Sequence, residues 1–204
     1  MRGLWRALHF RQGLHEERLH RRRQEDLHSA DRPLLRPRHH GRCEEGRDLR
    51  LQEAGRPLYI IGNTARELAG SEIADQLGIA CNTVPRVDAK SALASYRKLH
   101  QAINSRLISA CHDLSDGGLA VSLAEMCIGG RLGAHLALNR VPVIGALTLT
   151  EALYSESASR LLVSVAPDKA AEFEALFGAS APFIGEVTSD ARLTVASADS
   201  ALFS

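Results

Sequence analysis

The chain has 204 residues, of which 45% are hydrophobic and 24% charged, and its formal net charge is +1. This composition excludes an intrinsically disordered chain, a collagen-like chain and a disulfide-rich scaffold. No apolar run reaches the length of about 18 residues that crosses a bilayer, so we expect no membrane partner and a cytoplasmic location. The near-neutral charge is an average over two unlike segments, because residues 1–58 carry a net charge of +5 and the remainder carries −4.

The first segment, residues 1–58, is built from few residue types. It holds 14 of the 22 arginines and 6 of the 9 histidines, and it contains no Lys, Val, Ile, Thr or Asn. Arginine clusters bind nucleic acid phosphates, but nine acidic residues are interspersed, which argues against nucleic acid as a partner. A transit peptide is poor in acids and rich in serine, and this segment has a single serine. A disordered basic tail and GC-rich DNA translated in the wrong frame remain as interpretations.

From residue 57 onward the sequence alternates between patterns typical of strands and of helices. In chain order it predicts a strand over 57–62, short helical turns over 64–77, a helix over 88–104, a strand over 107–111, a helix over 119–128, a strand over 133–138, a connection over 141–149, a strand over 160–165, a helix over 168–177, and strands over 182–187 and 192–196. Irregular alternation of this kind predicts an α+β domain, a mixed sheet with helices packed on one face. We place this domain at residues 57–204.

The clearest helical pattern lies over residues 88–104. Asp88 is the predicted N-cap, since a carboxylate there accepts hydrogen bonds from the first free amides of a helix. Leu93, Tyr96, Leu99 and Ile103 recur every three or four residues. This spacing is typical of one apolar face of a helix.

The segment that indicates chemistry is His112–Gly118, with the sequence HDLSDGG. It lies between an apolar strand and a predicted helix. Asp113 and Ser115 share one face of an extended chain, and a carboxylate there suits Mg²⁺, which bridges nucleotide phosphates. Gly117 and Gly118 allow close approach of a phosphate to the backbone, and the helix that follows supplies amides and a positive dipole end. The pattern therefore predicts a site for Mg²⁺ and a nucleotide.

Each of these residues also has a purely structural interpretation. Ser115 or Asp116 can cap the following helix, and the two glycines can simply form a turn. His112 is a weaker candidate ligand, because a histidine at the end of a strand is more often packed or hydrogen-bonded within the protein. From the residues alone both interpretations stay open.

A second polar cluster precedes the strand predicted over 160–165. Ser155 and Glu156 belong to the sequence YSES, and Arg160 follows shortly after it. Arg160 can bind an anion or form an ion pair with Glu156, while the loop can equally be solvated, with its side chains bonded to the backbone. We keep all three as weaker candidate site residues.

Several motifs together resemble the C-terminal part of phosphoribosylformylglycinamidine synthases, in the large component of that enzyme family. The resemblance extends from about residue 58 to the end of the chain. It is carried by SACHDLSDGGLAVSLAEM (109–126), LYSESASRLLVSV (153–165) and FIGEVT (183–188), with support from LYIIGNT (58–64), GSE (70–72) and VPRVDAKSALASYRKLHQAI (84–103). The resemblance implies the fold of the C-terminal PurM-like domain in the second half of the enzyme, the AIR synthase-related C-terminal domain.

The resemblance also implies a function. The family carries out the ATP- and Mg²⁺-dependent amidation of formylglycinamide ribonucleotide with ammonia from glutamine, a ligase step of purine biosynthesis. In family members the first Asp of HDxS can ligate Mg²⁺ and the Ser can contact ATP or ADP, here Asp113 and Ser115. In the larger members the resemblance implies that this second-half site is auxiliary rather than the site of turnover. The partners are the missing N-terminal PurM-like domain, the first half of the synthetase and the glutaminase component, without which we expect an inactive fragment.

Two alternatives to this function stay open. The domain can belong to another ATP-dependent PurM-like enzyme, such as aminoimidazole ribonucleotide synthetase, selenophosphate synthetase or thiamine-phosphate kinase. The whole chain can instead be a non-enzymatic module whose basic arm binds nucleic acid.

The resemblance bears on residues 43–55, which read CEEGRDLRLQEAG. Codons exist for this string that, with the first base dropped, encode VRKAVTSDFKKPG. That second string resembles the family segment just before the strand predicted over 57–62. We therefore hypothesise that residues 1 to about 55 result from a frameshift.

Overall fold

The computed structural model describes residues 49–197 and the backbone of residues 200–203. The hypotheses of a basic tail and of a frameshift concern mainly residues 1–48, which lie outside the described residues. In the part of the chain that is described, no helix is both long enough and apolar enough to cross a membrane.

The core of the fold is a seven-stranded sheet in the order β2-β4-β1-β5-β3-β6-β7. Neighbouring strands are antiparallel except β3 and β6, which are parallel, so the mixed sheet is confirmed. The strand after residue 197 is the one that the sequence did not predict. The strands are β1 Pro57–Ile61, β2 Ile108–Asp113, β3 Gly133–Ala137, β4 Leu161–Val165, β5 Phe183–Thr188, β6 Leu193–Ser197 and β7 Ser200–Phe203.

Five α-helices connect these strands within the described residues: α1 Glu72–Leu77, α2 Ala89–Asn104, α3 Gly118–Gly130, α4 Leu149–Tyr154 and α5 Ala170–Phe177. The Asp88 carboxylate accepts from the amides of Lys90 and Ser91, so the predicted N-cap of α2 is confirmed. Helix α4 was not predicted. Its signal was nevertheless present, because Thr148 and Glu151 form a capping box, in which each side chain accepts from the other's amide.

Helices cover both faces of the sheet, which corrects the expectation that they pack on one face. In β1, Leu58 and Ile60 belong to a core that includes Leu123 of α3. Tyr59 and Ile61 belong to a second core that includes Phe173 of α5. Since consecutive strand residues point to opposite faces, these cores lie on opposite sides. The α+β class is confirmed, and the unbroken apolar run of β1 is itself typical of a strand buried on both faces.

The apolar face predicted for α2 is only partly buried. Leu99 and Ile103 are partly buried against the core that includes Phe173, whereas Leu93 is 50% exposed and Tyr96 is 45% exposed. The hydroxyl of Tyr96 lies 3.0 Å from that of Ser159. The first half of α2 therefore keeps apolar side chains in contact with solvent within the described chain.

The packed part of the chain extends upstream of residue 57. Leu51 is buried in the same core as Leu58, and its amide donates to the carbonyl oxygen of Met126 at 3.2 Å. In the alternative frame hypothesised above, position 51 is Phe. Both translations therefore place an apolar side chain where the core accepts one.

Candidate functional site

Three connecting segments meet at one end of the sheet. Leu161, the first residue of β4, pairs with Ile61 of β1 on one side and with Asp113 of β2 on the other. Because β1 and β2 both run antiparallel to β4, their last residues lie beside its first. We call the segments that meet there, residues 62–71, 114–117 and 155–160, the loop cluster.

The alternation predicted for the HDLSDGG segment is present in the structure. Asp113 ends β2 with its side chain 65% exposed, Leu114 is buried, and Ser115 is exposed again. Asp116 is exposed as well, because the chain turns at the following glycine. The carboxylate and hydroxyl expected to bind Mg²⁺ and nucleotide are therefore both open to solvent.

The two glycines are needed for the backbone geometry at the start of α3. Gly117 has φ +77° and Gly118 has φ +63°, in the left-handed region that other residues rarely adopt. A Cβ on Gly118 would lie 2.6 Å from the carbonyl oxygen of Ser155. Gly117 is the N-cap and no side chain caps the helix, which excludes Ser115 and Asp116 as caps.

Glu156 lies where two helices begin. Its Oε1 accepts from the amide of Gly117 at 2.8 Å, at the start of α3, and from the amide of Glu72 at 3.2 Å, at the start of α1. The amide of Glu156 itself donates to the carbonyl oxygen of Glu67 at 3.3 Å. Through its carboxylate and its backbone amide, Glu156 thus joins the other two segments of the loop cluster and the first residue of α1.

Arg160 is the buried cation of the loop cluster, with 2% of its surface exposed. Its guanidinium donates to the carbonyl oxygen of Ser157 at 3.1 Å, to the Thr64 hydroxyl at 2.9 Å and to the carbonyl oxygen of Ser155. Burial lowers its pKa to about 10, against the opposing effect of the negative charges of Glu67 and Glu156. The side chain therefore holds the protein's own loops together and does not present itself to solvent.

Sequence reasoning missed Thr64 and Glu67 among the buried polar residues of this cluster, and it considered Ser157 only as a residue that bonds the backbone. Thr64 accepts from Arg160, and the Ser157 hydroxyl accepts from the amide of Ala65 at 3.0 Å. Glu67 accepts from the amide of Arg86 at 3.0 Å. Thr64 and Ser157 stood within the quoted motifs LYIIGNT and LYSESASRLLVSV, but no local pattern marked Glu67.

Ser155 is fully buried, and its amide donates to the carbonyl oxygen of Glu151 at 3.0 Å. Its hydroxyl has no hydrogen-bond partner among the described residues. The structure therefore brings Ser155, Glu156 and Arg160 together beside the HDLSDGG segment, as members of one hydrogen-bonded cluster.

His112 belongs to β2, and its side chain reaches α3. Its Nδ1 is 2.6 Å from the carbonyl oxygen of Asp113, and its Nε2 is 3.1 Å from the Glu125 carboxylate. Only 11% of the side chain is exposed, so it joins the strand to the helix. Its neighbour Cys111 has a pKa raised to about 11, first by burial and then by the charge of Asp113.

The oxygen ligands offered by Asp113 and Ser115 suit a metal ion that arrives bound to a nucleotide. Among the described residues, no group of three His, Cys, Asp or Glu side chains is arranged to hold a metal ion. Mg²⁺ often takes only one or two protein carboxylates and completes its shell with phosphate oxygens and water. The exposed Asp113 carboxylate beside the Ser115 hydroxyl fits that partial role.

Comparison with known proteins identifies the family. The chain is 36% identical over 148 residues to the phosphoribosylformylglycinamidine synthase subunit PurL of Lactobacillus helveticus. The matched segment covers 72% of this chain and 19% of that protein. It therefore spans about a fifth of the length of the curated relatives that it matches.

Solved structures show the same fold. Thermotoga maritima PurL complexed with FGAR matches with a TM-score of 0.70 and 23% identity over 79% of this chain and 29% of that one. The same protein complexed with ATP matches with a TM-score of 0.64 and 23% identity over 79% and 26%. The sequence model of one protein family, the C-terminal domain of AIR synthase-related proteins, matches residues 53–197. The chain belongs to this family.

Proposed function

We propose that this chain is the C-terminal PurM-like domain from the second half of a phosphoribosylformylglycinamidine synthase, the ligase that amidates formylglycinamide ribonucleotide. The 36% identity to a PurL subunit over 148 residues carries this proposal. The matched PurL structures with ATP and with FGAR support nucleotide and substrate as its ligands. We place the domain at residues 57–204, and the preceding residues from Leu51 onward lead into it, with Leu51 packed in its core.

In the proposed reaction, ATP phosphorylates the amide oxygen of the substrate, and ammonia from glutamine then displaces phosphate to leave the amidine. Bound Mg²⁺ would neutralise the phosphate charges during this transfer. The described residues offer the exposed Asp113 carboxylate for that metal, and the match covers only 19% of the Lactobacillus helveticus subunit. We therefore propose that the chain is inactive alone and works in the cytoplasm with the N-terminal PurM-like domain, the first half of the synthetase and a glutaminase.

Within the domain, we propose that Asp113 ligates the magnesium of a bound nucleotide and that Ser115 donates to a phosphate oxygen. Gly117 and Gly118 supply the turn that brings the start of α3 close to the phosphates. His112 and Asp116 flank these ligands. The exposure of Asp113 and Ser115 at the end of β2 supports this assignment.

Reconstitution tests the function. The full chain is mixed with a Lactobacillus helveticus PurL truncated before its matching C-terminal region, and ammonia-dependent amidine formation is measured with ATP and Mg²⁺. We expect no turnover from either piece alone and measurable turnover from the mixture. A heat-unfolded chain serves as the control. Soluble pieces that bind each other yet give no product would contradict the proposal.

Asp113→Asn tests the ligand assignment. We expect Mg·ADP to raise the thermal unfolding midpoint of the full chain, because a ligand that binds only the folded state stabilises it. The substitution removes the charge that holds the metal, so the stabilisation by Mg·ADP should fall to that by ADP with EDTA. Asp168→Asn, at another exposed carboxylate, is the matched control and should behave as the unaltered chain. Undiminished stabilisation of Asp113→Asn would refute the role of Asp113.

A further inference from the structure

The start of α3 is already occupied by a carboxylate of the protein itself. Gly117 and Gly118 are expected to allow close approach of a phosphate, and the start of the helix is expected to supply the amides that bind it. The Gly117 amide instead donates to Glu156 Oε1 at 2.8 Å, and the Gly118 amide donates to the carbonyl oxygen of Ser115 at 3.0 Å. Both glycine amides are therefore engaged within the chain.

The position suits a negative charge for three reasons. Helix α3 has 13 residues and no side-chain cap, so its first turn carries the positive end of a long helix dipole. The same Glu156 oxygen accepts from Glu72 at the start of α1. The buried Arg160 cation is close enough that the negative charge of Glu156 acts on its pKa. A carboxylate here is held by charge as well as by hydrogen bonds.

Glu156 also determines where the exposed ligands lie. Gly117 comes two residues after Ser115, and the turn between them is closed by the hydrogen bond from Gly118 to Ser115. By fixing the Gly117 amide against α1, Glu156 fixes the end of that turn. The position of the exposed Ser115 therefore depends on a side chain that lies 39 residues from Gly117 in the sequence.

We propose that Glu156 is a positioning residue, an internal anion that takes the place of a ligand phosphate at Gly117 and holds the segment from Asp113 to Gly118 in its binding conformation. A nucleotide phosphate then contacts Ser115 without using the Gly117 amide. This inference rests on the proposed function for its nucleotide part only; the role as internal anion stands on the hydrogen bonds alone.

The test compares Glu156→Ala, Glu156→Gln and the matched exposed variant Glu172→Ala in the full chain. Thermal midpoints are measured with and without sodium formate, with sodium chloride at equal ionic strength as reference, and Mg·ADP affinity is measured by calorimetry. Formate is small enough to replace the lost carboxylate. We expect it to raise the midpoint of Glu156→Ala and leave the unaltered chain and Glu172→Ala unchanged. Glu156→Gln keeps the accepting oxygen without the charge. Its thermal midpoint should lie between those of the unaltered chain and Glu156→Ala.

For the nucleotide, we expect Glu156→Ala to weaken Mg·ADP binding at least tenfold and formate to recover most of the loss. Equal formate effects in all variants, or unchanged ADP affinity in Glu156→Ala, would overturn the inference. Should Glu156→Ala fail to fold even with formate, Glu156→Gln decides, since ADP affinity equal to that of the unaltered chain would also overturn it. Failure of the unaltered chain to bind Mg·ADP would count against the proposed function, and the formate response would then judge the internal anion by itself.

Discussion

Replacing Arg160 by Met is expected to lower the free energy of unfolding by about 3–5 kcal/mol, because one partner of a buried charged network is removed. The variant leaves two buried carbonyl oxygens and the Thr64 hydroxyl without the donor they have now. It also leaves the negative charges of Glu67 and Glu156 without the cation that opposes them. Urea denaturation followed by circular dichroism measures the loss.

Two controls separate burial from the loss of a positive charge. Arg66 is 61% exposed and forms an ion pair at 2.8 Å with Glu151, whose side chain is 13% exposed and also accepts from the Thr148 amide. Pairs with a solvent-exposed cation contribute only about 0–1 kcal/mol, and Glu151 keeps the Thr148 amide as a partner. Arg66→Met should therefore change stability little. Arg160→Lys keeps the charge but not the planar fork of donors. Its free energy of unfolding should lie between those of the unaltered chain and Arg160→Met. A loss in Arg160→Met no larger than that in Arg66→Met would contradict the structural role of Arg160.

Gly118→Ala is expected to cost about 3 kcal/mol or more, the sum of left-handed backbone strain and overpacking. The added Cβ would lie 2.6 Å from the Ser155 carbonyl oxygen and 2.9 Å from that of Leu153. Because both contacts are backbone atoms, relief requires α3 to move away from the loop cluster. The variant should lose stability and, by moving Ser115, also its response to Mg·ADP.

Gly78→Ala is the matched control for this change. Gly78 has the same φ of +63°, but a Cβ there meets nothing within 4 Å. It should show only the conformational cost, about 1–2 kcal/mol. The difference between the two variants in urea denaturation measures the close approach at Gly118. Equal losses in the free energy of unfolding would contradict the prediction, because they would show that the close approach of Gly118 to residues 153–155 adds nothing to the cost of the Cβ.

Much of the candidate site was predictable because its residues are contiguous in the sequence. The alternation of Asp113, Leu114 and Ser115 continues the strand, and the two glycines permit the turn into α3. These features depend on local backbone geometry. The capping box of α4 is equally local, since Thr148 and Glu151 lie three residues apart.

The roles of Glu156 and Arg160 were not predictable in the same way. Sequence left each with alternatives, since a carboxylate and a guanidinium in a polar loop serve equally well in solvent. The outcome depends on β4 pairing with β1 and β2 at once, which places Leu161 between Ile61 and Asp113. Strand order is a non-local choice, made by the burial of the whole sheet rather than by any one segment.

The sequence by itself therefore determined the α+β class, most of the strands and helices, the family resemblance and the strand-turn-helix that presents Asp113 and Ser115. Only the tertiary structure decided which helices cover each face of the sheet and that Glu156 occupies the start of α3. The physical reason is that hydrophobic periodicity and glycine conformations act over a few residues. Strand pairing joins residues far apart in the chain, and buried charges take their partners from whatever that pairing brings near.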